Sequence, residues 1–126
     1  MKSPEYLIDS NILIDHLNGI KKSTEWLSRV KDGQAVISVI TYAEVLSGNE
    51  SQSDSILYLL QQFGCLSIEL VTAELAGRLR NAHSWKLPDA FQAALAIQHR
   101  LTLITRDQRA FKDVRNPAVR IPYILH

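Results

Sequence analysis

Four acidic residues have the clearest potential for chemistry in this chain of 126 residues. Asp9 closes the apolar run 6–8, and the other three recur near the ends of later apolar or helical segments: Glu44, Asp89 and Asp107. Two carboxylates about 4 Å apart repel by roughly 4 kcal/mol at an effective dielectric near 20, so a quartet needs protonation or a cation. Oxygen-only ligands favour Mg²⁺ or Mn²⁺ over zinc. The acids therefore predict a divalent-cation site if the fold brings them together.

Such a site has a definite chemistry. A cation held by carboxylates with open positions can polarise a phosphoryl oxygen, lower the pKa of a bound water and orient in-line attack, which suits phosphodiester hydrolysis. We predict direct or water-mediated metal contacts for Asp9, Asp89 and Asp107, with Glu44 completing the cage or orienting the attacking water. Taken singly, Asp9 or Asp107 could instead cap a turn. Asp89 could favour a helix dipole, and Glu44 could face solvent.

Alternating strands and helices must position these acids. The strand candidates are 6–9, 35–38, 66–68, 102–105 and a short edge strand at 119–121. The helix candidates are 12–17, 23–31, 41–48, 53–63, 72–83 and 89–99. Ser23 is the expected N-cap of the second helix, and Pro88 suits the first turn of the last. This alternation predicts a three-layer α/β/α sandwich with a central parallel sheet of four to five strands joined by right-handed crossovers. The turns that follow parallel strands share one edge, where ligands bind at the point of reversed strand order.

Composition bounds the remaining possibilities. With 46% hydrophobic and 21% charged residues, the chain predicts one globular domain over 1–126. The net charge of +1 means that attraction to a polyanion must come from local patches. No stretch approaches the roughly 20 apolar residues of a membrane span, and no secretory signal is evident, so we expect a cytoplasmic protein without membrane association. The single cysteine, Cys65, is expected to be a buried apolar thiol.

The acids and their flanking residues resemble the PIN-domain ribonucleases, particularly the VapC-type toxins of bacterial toxin–antitoxin pairs. Four segments carry the resemblance: YLIDSNILID at 6–15, SVITYAEVLSG at 38–48, LPDAFQAALA at 87–96 and LITRDQRAF at 103–111. Their order and spacing agree over nearly the whole chain, although the segment before Leu87 lacks the glycine that many relatives place there. The resemblance implies a PIN-like Mg²⁺-dependent endoribonuclease, often a homodimer, inhibited by an antitoxin that fills the acidic cleft.

The resemblance also places three polar residues, Ser10, Asn11 and Thr105, beside the acids, where hydroxyl or amide groups could fix the carboxylate rotamers. Capping of a helix or turn is a compatible alternative for them.

Basic side chains near Asp89 and Asp107 are candidates for holding RNA phosphates, with ordinary solvated charge as the alternative. They are Arg78, Arg80, Lys86, Arg106 and Arg109. Trp85 stands in a polar segment and could either stack on a base or pack in the core. The four histidines lack the spacing of a zinc site or a catalytic triad, so solvent or helix-end positions are expected.

Other functional classes stay open at this point. A haloacid-dehalogenase-type phosphatase needs a second Asp two positions after the first, where this chain has Asn11. A receiver domain needs a lysine late in a strand, yet Thr105 is followed by Arg106. A catalytically silent PIN-like module that binds RNA or protein would keep the fold and the cation without cleavage.

Overall fold

The computed structural model describes residues 3–48 and 53–126, and within them five strands alternate with six helices. The strands are β1 (Tyr6–Ile8), β2 (Ala35–Ser38), β3 (Gly64–Leu66), β4 (Thr102–Ile104) and β5 (Val119–Arg120). The helices are α1 (Ser10–Leu17), α2 (Lys21–Ser28), α3 (Val39–Leu46), α4 (Ser53–Leu60), α5 (Leu70–His83) and α6 (Leu87–His99). In these described ranges, no helix has both the length and the apolar character to cross a membrane.

All strand pairs of the sheet are parallel, and the strand order is β3-β2-β1-β4-β5. Leu7 of β1 lies opposite Val36 of β2 on one side and Leu103 of β4 on the other. The predicted parallel α/β/α sandwich is therefore confirmed. The chain builds outward from β1 to β3 and then returns to add β4 on the opposite side, so strand order reverses between β1 and β4.

Side chains alternate along the strands and so divide the core into two layers. Leu7 and Leu103, both fully buried, pack in one cluster with residues of α5 and α6. Ile8 and Ile104 point to the opposite face and pack with residues of α1, α3 and α4. Because both faces are covered, the central strands are apolar at successive positions, as parallel sheets require.

Two details at the chain's less buried positions differ from the prediction. The third strand is 64–66 rather than 66–68, and Cys65 within it is exposed, so the expectation of a buried thiol was wrong. The physical reason is position: β3 is an edge strand that pairs only with β2, and helices cover such an edge less completely.

The second helix also begins earlier than expected, at Lys21 instead of Ser23. Ser23 does not cap this helix. It is fully buried, and its hydroxyl donates a 2.6 Å hydrogen bond to the carbonyl oxygen of Ile12 in α1. A serine that resembles a helix cap in sequence thus joins two packed helices, because a buried hydroxyl needs a partner wherever the fold supplies one.

Candidate active site

The candidate site lies at the carboxyl edge of the sheet, between the two strands where order reverses. Asp9 follows β1 directly, and its backbone N–H donates a 2.8 Å hydrogen bond to the carbonyl oxygen of Ile104 at the end of β4. Asp107 follows β4 by three residues, while Glu44 lies within α3 and Asp89 lies in the first turn of α6. The strand ends and helices therefore bring acids distant in sequence toward one edge.

Four donors fix both carboxylate oxygens of Asp9, which is 6% exposed. The backbone N–H of Ser10 donates to Oδ1 at 2.8 Å, and Nε2 of Gln92 donates to the same oxygen at 3.2 Å. The Thr105 hydroxyl donates to Oδ2 at 2.8 Å, and Nδ2 of Asn11 reaches that oxygen at 3.5 Å. Donors around a buried carboxylate stabilise its charged form and restrict its rotamer.

The structure places the three predicted supporting residues, Ser10, Asn11 and Thr105, beside Asp9, and one of them links the strand ends further. Thr105 also accepts hydrogen bonds from Asn11 Nδ2 at 3.1 Å and from the backbone N–H of Asp107 at 3.2 Å. Asp9 itself is the N-cap of α1. Capping and site orientation are therefore combined in the same residues, and the hydroxyl of Thr105 couples the ends of β1 and β4.

Gln92 is a supporting residue that sequence reasoning missed. Its side chain is 1% exposed, and Nε2 donates both to Asp9 and, at 2.7 Å, to the hydroxyl oxygen of Thr41 in α3. The assignment of N and O in this amide follows from chemistry, since a carboxylate only accepts and Nε2 must face it. Within the described residues, Gln92 Oε1 is a buried oxygen without a hydrogen-bond partner. The available signal was a glutamine amide within the otherwise apolar, Ala-rich stretch 90–97 of α6.

Asp89 shows most clearly that the acids influence one another. The pKa of Asp89 is raised to about 6, and burial of the carboxyl group is the largest cause. The negative charges of Asp9 and Asp107 raise it further, and that of Glu44 contributes less in the same direction. The ammonium group of Lys86 acts in the opposite sense. Repulsion from three carboxylates means that all four acids lie on the same side of the molecule and share one electrostatic environment.

Glu44 belongs to the same environment. The residue as a whole is exposed, yet partial burial of its carboxyl group raises its pKa. A hydrogen bond from Ser10 lowers the pKa of this carboxyl, and the charge of Asp9 raises it. Glu44 therefore lies close enough to Asp9 for the two charges to interact, although it sits on a different helix.

Asp107 has a second role in its own loop. Its Oδ1 accepts hydrogen bonds from the backbone N–H groups of Arg109 at 3.1 Å and Ala110 at 3.0 Å. The turn-capping interpretation of Asp107 is thus realised, and it coexists with the effect of this charge on Asp89. Capping fixes the position of an otherwise exposed carboxylate at the rim of the site.

The acids do not form a closed ligand cage. Across residues 3–48 and 53–126, no three His, Cys, Asp or Glu side chains are grouped so that they could hold a metal ion directly. Mg²⁺ typically keeps several waters and binds through one or two carboxylates together with substrate phosphates. The oxygen-only donors and the raised pKa of Asp89 fit an ion of that kind, with some acids acting through water.

A neighbouring charge cluster was also missed by sequence reasoning. Asp15 of α1 is 5% exposed, and Arg106 donates to both of its oxygens, from Nε at 2.6 Å and from a terminal nitrogen at 3.0 Å. The Tyr123 hydroxyl donates to Asp15 Oδ2 at 2.8 Å. The pKa of Tyr123 is raised to about 12, and burial is the largest cause. Arg106 is thus engaged in a bidentate ion pair, which limits its predicted role in holding phosphates.

Two open grooves meet at the acidic edge. One, of about 550 Å³, is lined by Asn11, Arg106, Asp107, Gln108 and Arg109. The other, of about 560 Å³, is lined by His83, Ser84, Trp85, Lys86, Asp89, Asp107, Arg109, Ala110 and Lys112. We call the second one the α5–α6 groove, since it begins where these helices join. Asp107 and Arg109 border both grooves, so a bound strand could run from one to the other past the acids.

The predicted phosphate-binding residues are distributed unequally. Lys86 and Arg109 line the α5–α6 groove, together with Lys112, which was not among the predictions. Arg78 and Arg80 are exposed on α5 but line neither of the two grooves at the acidic edge. The positive charge near the acids therefore comes from the loops before α6 and after β4, and not from α5.

Trp85 is not available to stack on a base. It is 7% exposed, its indole N–H donates to the carbonyl oxygen of Ala110, and its ring packs against Phe111 with centroids 5.3 Å apart. The core alternative for Trp85 is therefore correct. The polar sequence around Trp85 concealed this, because its contacts come from residues 25 positions later.

The sequence is similar to one family of known proteins and to a curated member of the same kind. A family model described as PIN domain matches residues 6–117. A curated relative, "Ribonuclease VapC10" of Mycobacterium tuberculosis, is 36% identical over 84 residues. This match spans 62% of the present chain and 63% of that relative.

Solved structures are similar over almost the whole chain. A "Toxin-antitoxin complex from Klebsiella pneumoniae" contains a chain with 36% identity and a TM-score of 0.88, and the match covers 96% of this chain and all of that one. FitAcB from Neisseria gonorrhoeae has 26% identity and a TM-score of 0.77, with 95% and 99% of the two chains covered. This chain is therefore similar to the Klebsiella protein in both fold and sequence.

Proposed function

The chain belongs to the PIN domain family, and from this premise we propose that it is a metal-dependent endoribonuclease and the toxin of a toxin–antitoxin pair. The names of its relatives support this proposal, since one is called a ribonuclease and another forms a toxin–antitoxin complex. The observation that carries it is the electrostatic coupling of Asp89 to Asp9, Asp107 and Glu44 at one sheet edge. Mutual repulsion of that kind is what a divalent cation relieves.

The chain's own residues have separable roles in this proposal. Asp9 is the most rigid of the acids because four donors fix its oxygens, and it is the preferred direct ligand. Asp89 and Asp107 would contact the ion directly or through water, and Glu44 would complete the site or orient the attacking water. When bound, Mg²⁺ or Mn²⁺ supplies Lewis acidity toward a phosphoryl oxygen and toward the attacking water.

Two basic side chains would help to hold the substrate. Lys86 and Arg109 line the α5–α6 groove beside Asp89 and Asp107, so they can contact phosphates next to the scissile one. Asp89 also has a pKa of about 6, close to the range in which a carboxyl group can exchange a proton at neutral pH. Which carboxylate acts as the base follows from a pH–rate profile of the wild type and of Asp89→Asn.

The proposal is tested by Mg²⁺-dependent cleavage of a panel of structured RNAs with purified wild-type protein and Asp9→Asn. We expect the substitution to lower the cleavage rate by about 10²- to 10⁴-fold, since metal catalysis supplies several kcal/mol of transition-state stabilisation. Asp32→Asn is the matched control, because Asp32 is exposed and lies in a turn outside the site. Circular dichroism would show that both variants are folded.

Four results would count against the proposal. Equal cleavage by wild type and Asp9→Asn would remove the acids from the chemistry. Cleavage that persists in chelator would exclude the metal. Demonstrable Mn²⁺ binding without cleavage of any RNA would favour the silent binding module, and a phospho-aspartate formed from a phosphodonor would favour a receiver or phosphatase.

The partners form a further part of the proposal. An antitoxin protein that occupies the acidic cleft and a homodimeric assembly are implied by the family resemblance, and the Klebsiella structure is itself a toxin–antitoxin complex. Co-expression with the product of an adjacent reading frame should yield a complex that no longer cleaves RNA. Light scattering of the isolated chain should give twice the monomer mass of 14.2 kDa.

A further inference from the structure

We infer that His83 is a stacking platform for one nucleobase of a single-stranded RNA bound in the α5–α6 groove, next to the phosphates that the acidic site would cleave. This inference rests on the proposed function for the identity of the substrate. The platform itself consists of His83 and the Trp85 ring on which it stacks, and neither residue has a role in the proposed nuclease mechanism. Its ligand is an unpaired base of either ring size, because a stacking surface does not read hydrogen-bonding edges.

The imidazole of His83 is held rigidly by the protein core. The rings of His83 and Trp85 are stacked, with centroids 4.2 Å apart and an angle of 12° between their planes. Trp85 in turn is buried, hydrogen-bonded through its indole N–H to Ala110 and packed on Phe111. One face of the imidazole therefore rests on a fixed core side chain. An exposed ring held in this way loses little further entropy when a ligand stacks on it.

The platform faces the groove that contains the acids. His83 is exposed, and it lines the same groove of about 560 Å³ as Asp89 and Asp107. Since Trp85 covers one face of the imidazole, the other face remains for the groove and solvent. The backbone supports this position: Ser84, the C-cap of α5, has a left-handed conformation with φ of 56°, which turns the chain between the two helices.

Positively charged side chains surround the platform. Lys86, Arg109 and Lys112 line the groove, so three cations accompany the exposed imidazole and two carboxylates. Lys86 lies close enough to Asp89 to oppose the rise of its pKa. Cations that hold a phosphate backbone beside an aromatic surface are the combination by which proteins bind single strands without sequence preference. The groove thus offers a base site and phosphate sites in one continuous surface.

The experiment uses the full chain in chelator, which keeps the RNA intact, and an octameric single-stranded RNA carrying 2-aminopurine at each position in turn. Stacking should quench the fluorescence at one position, and His83→Ala should abolish this quenching. We expect the same substitution to raise the dissociation constant by about 5- to 20-fold. His83→Phe should retain both quenching and affinity, whereas His83→Lys places a cation at this position without an aromatic ring and should not restore quenching.

His99→Ala is the matched control, since His99 is also exposed at a helix end and lines neither groove of the acidic edge. An abasic nucleotide at the quenched position should weaken binding to wild type by a similar factor, which tests the platform without altering the protein. In Mg²⁺, His83→Ala should raise KM and leave kcat within about twofold of wild type.

The outcomes separate this inference from the proposed function. If wild type cleaves RNA but His83→Ala binds and quenches as wild type does, the platform is wrong and the nuclease stands. If His83→Lys fully restores affinity and quenching, the contribution is charge rather than stacking, which also overturns the inference. If RNA is bound with quenching that depends on His83 but is never cleaved, the platform stands and the nuclease fails.

Discussion

Two clusters of charge adjoin each other in this protein and are organised in opposite ways. They meet in sequence at Arg106 and Asp107. Arg106 joins a buried unit in which the negative charge of Asp15 is neutralised by a bidentate guanidinium and a tyrosine hydroxyl. Asp107 joins the acidic edge, where carboxylates from α3, α6 and the two strand ends repel one another and the pKa of Asp89 rises to about 6.

This difference separates what stabilises the fold from what prepares the site. In the Asp15 unit the carboxylate is paired with the Arg106 guanidinium and also accepts from the Tyr123 hydroxyl, so the cluster fastens α1 to the loop after β4 and to the C-terminal segment. At the acidic edge the carboxylates repel one another, and among the described residues Lys86 only partly offsets the resulting rise in the pKa of Asp89. Groups that keep such repulsion in a folded protein are candidates for ligand binding or catalysis.

The strongest test of the comparison removes the centre of the neutralised cluster. Asp15→Ala leaves Arg106 without its carboxylate and Tyr123 without its acceptor, so we expect a loss of about 3 kcal/mol in the free energy of unfolding. Urea denaturation measures this loss. Asp32→Ala, at an exposed turn, should change the stability by less than about 0.5 kcal/mol. Equal effects of the two substitutions would show that the Asp15 unit does not stabilise the fold.

A smaller effect is expected from the support of Asp9. Gln92→Leu keeps the side-chain volume but removes the donor to Asp9 and Thr41, and it also removes the unpartnered Oε1. We expect Mn²⁺ affinity, measured by calorimetry, to fall by about 10- to 100-fold while the fold persists. Gln98→Leu on the same helix is the control, since Gln98 bonds Thr72 away from the site. Equal Mn²⁺ affinities in the two variants would contradict a positioning role for Gln92.

The smallest effect concerns the acidic edge itself. In chelator at pH 7.5, Asp89→Asn should raise the free energy of unfolding by about 1 kcal/mol, because the substitution removes a repelled charge that solvent partly screens. Thermal melts measure this change. Mg²⁺ should then stabilise the wild type more than the variant, since binding to the folded state adds stability. A melting temperature unchanged in both conditions would place Asp89 outside the cluster.

The raised pKa of Asp89 also predicts that the stability of the protein depends on pH. The folded state holds the Asp89 proton up to a pKa of about 6, whereas the unfolded chain releases it near the ordinary value of 3.8. Between these values the folded protein binds more protons, so its stability falls as pH rises from about 4 to about 6. This part of the decline should be absent from Asp89→Asn and reduced by Mg²⁺. Thermal melts at intervals between about pH 4 and about pH 6 would measure this decline in the wild type, in Asp89→Asn and in the wild type with Mg²⁺.

Much of the fold could be predicted because local signals and global topology agree. The apolar runs at 6–8, 35–38 and 102–104 became parallel strands, and Pro88 marked the start of α6. Prediction was weaker where a residue's environment comes from distant segments. Cys65 looked buried from its neighbours in sequence but lies on an edge strand, and Trp85 looked accessible but is covered by residues near position 110.

The candidate site divides along the same line. The sequence alone determined which acids are present and that parallel strands would bring Asp9 and Asp107 toward one edge, since residue type and hydrophobic period are local properties. Only the tertiary structure decided that Gln92 holds Asp9, that Arg106 pairs with Asp15, and that His83 rests on Trp85. These contacts join residues far apart in the chain, and their geometry is fixed by how helices pack on the sheet rather than by any spacing along the chain.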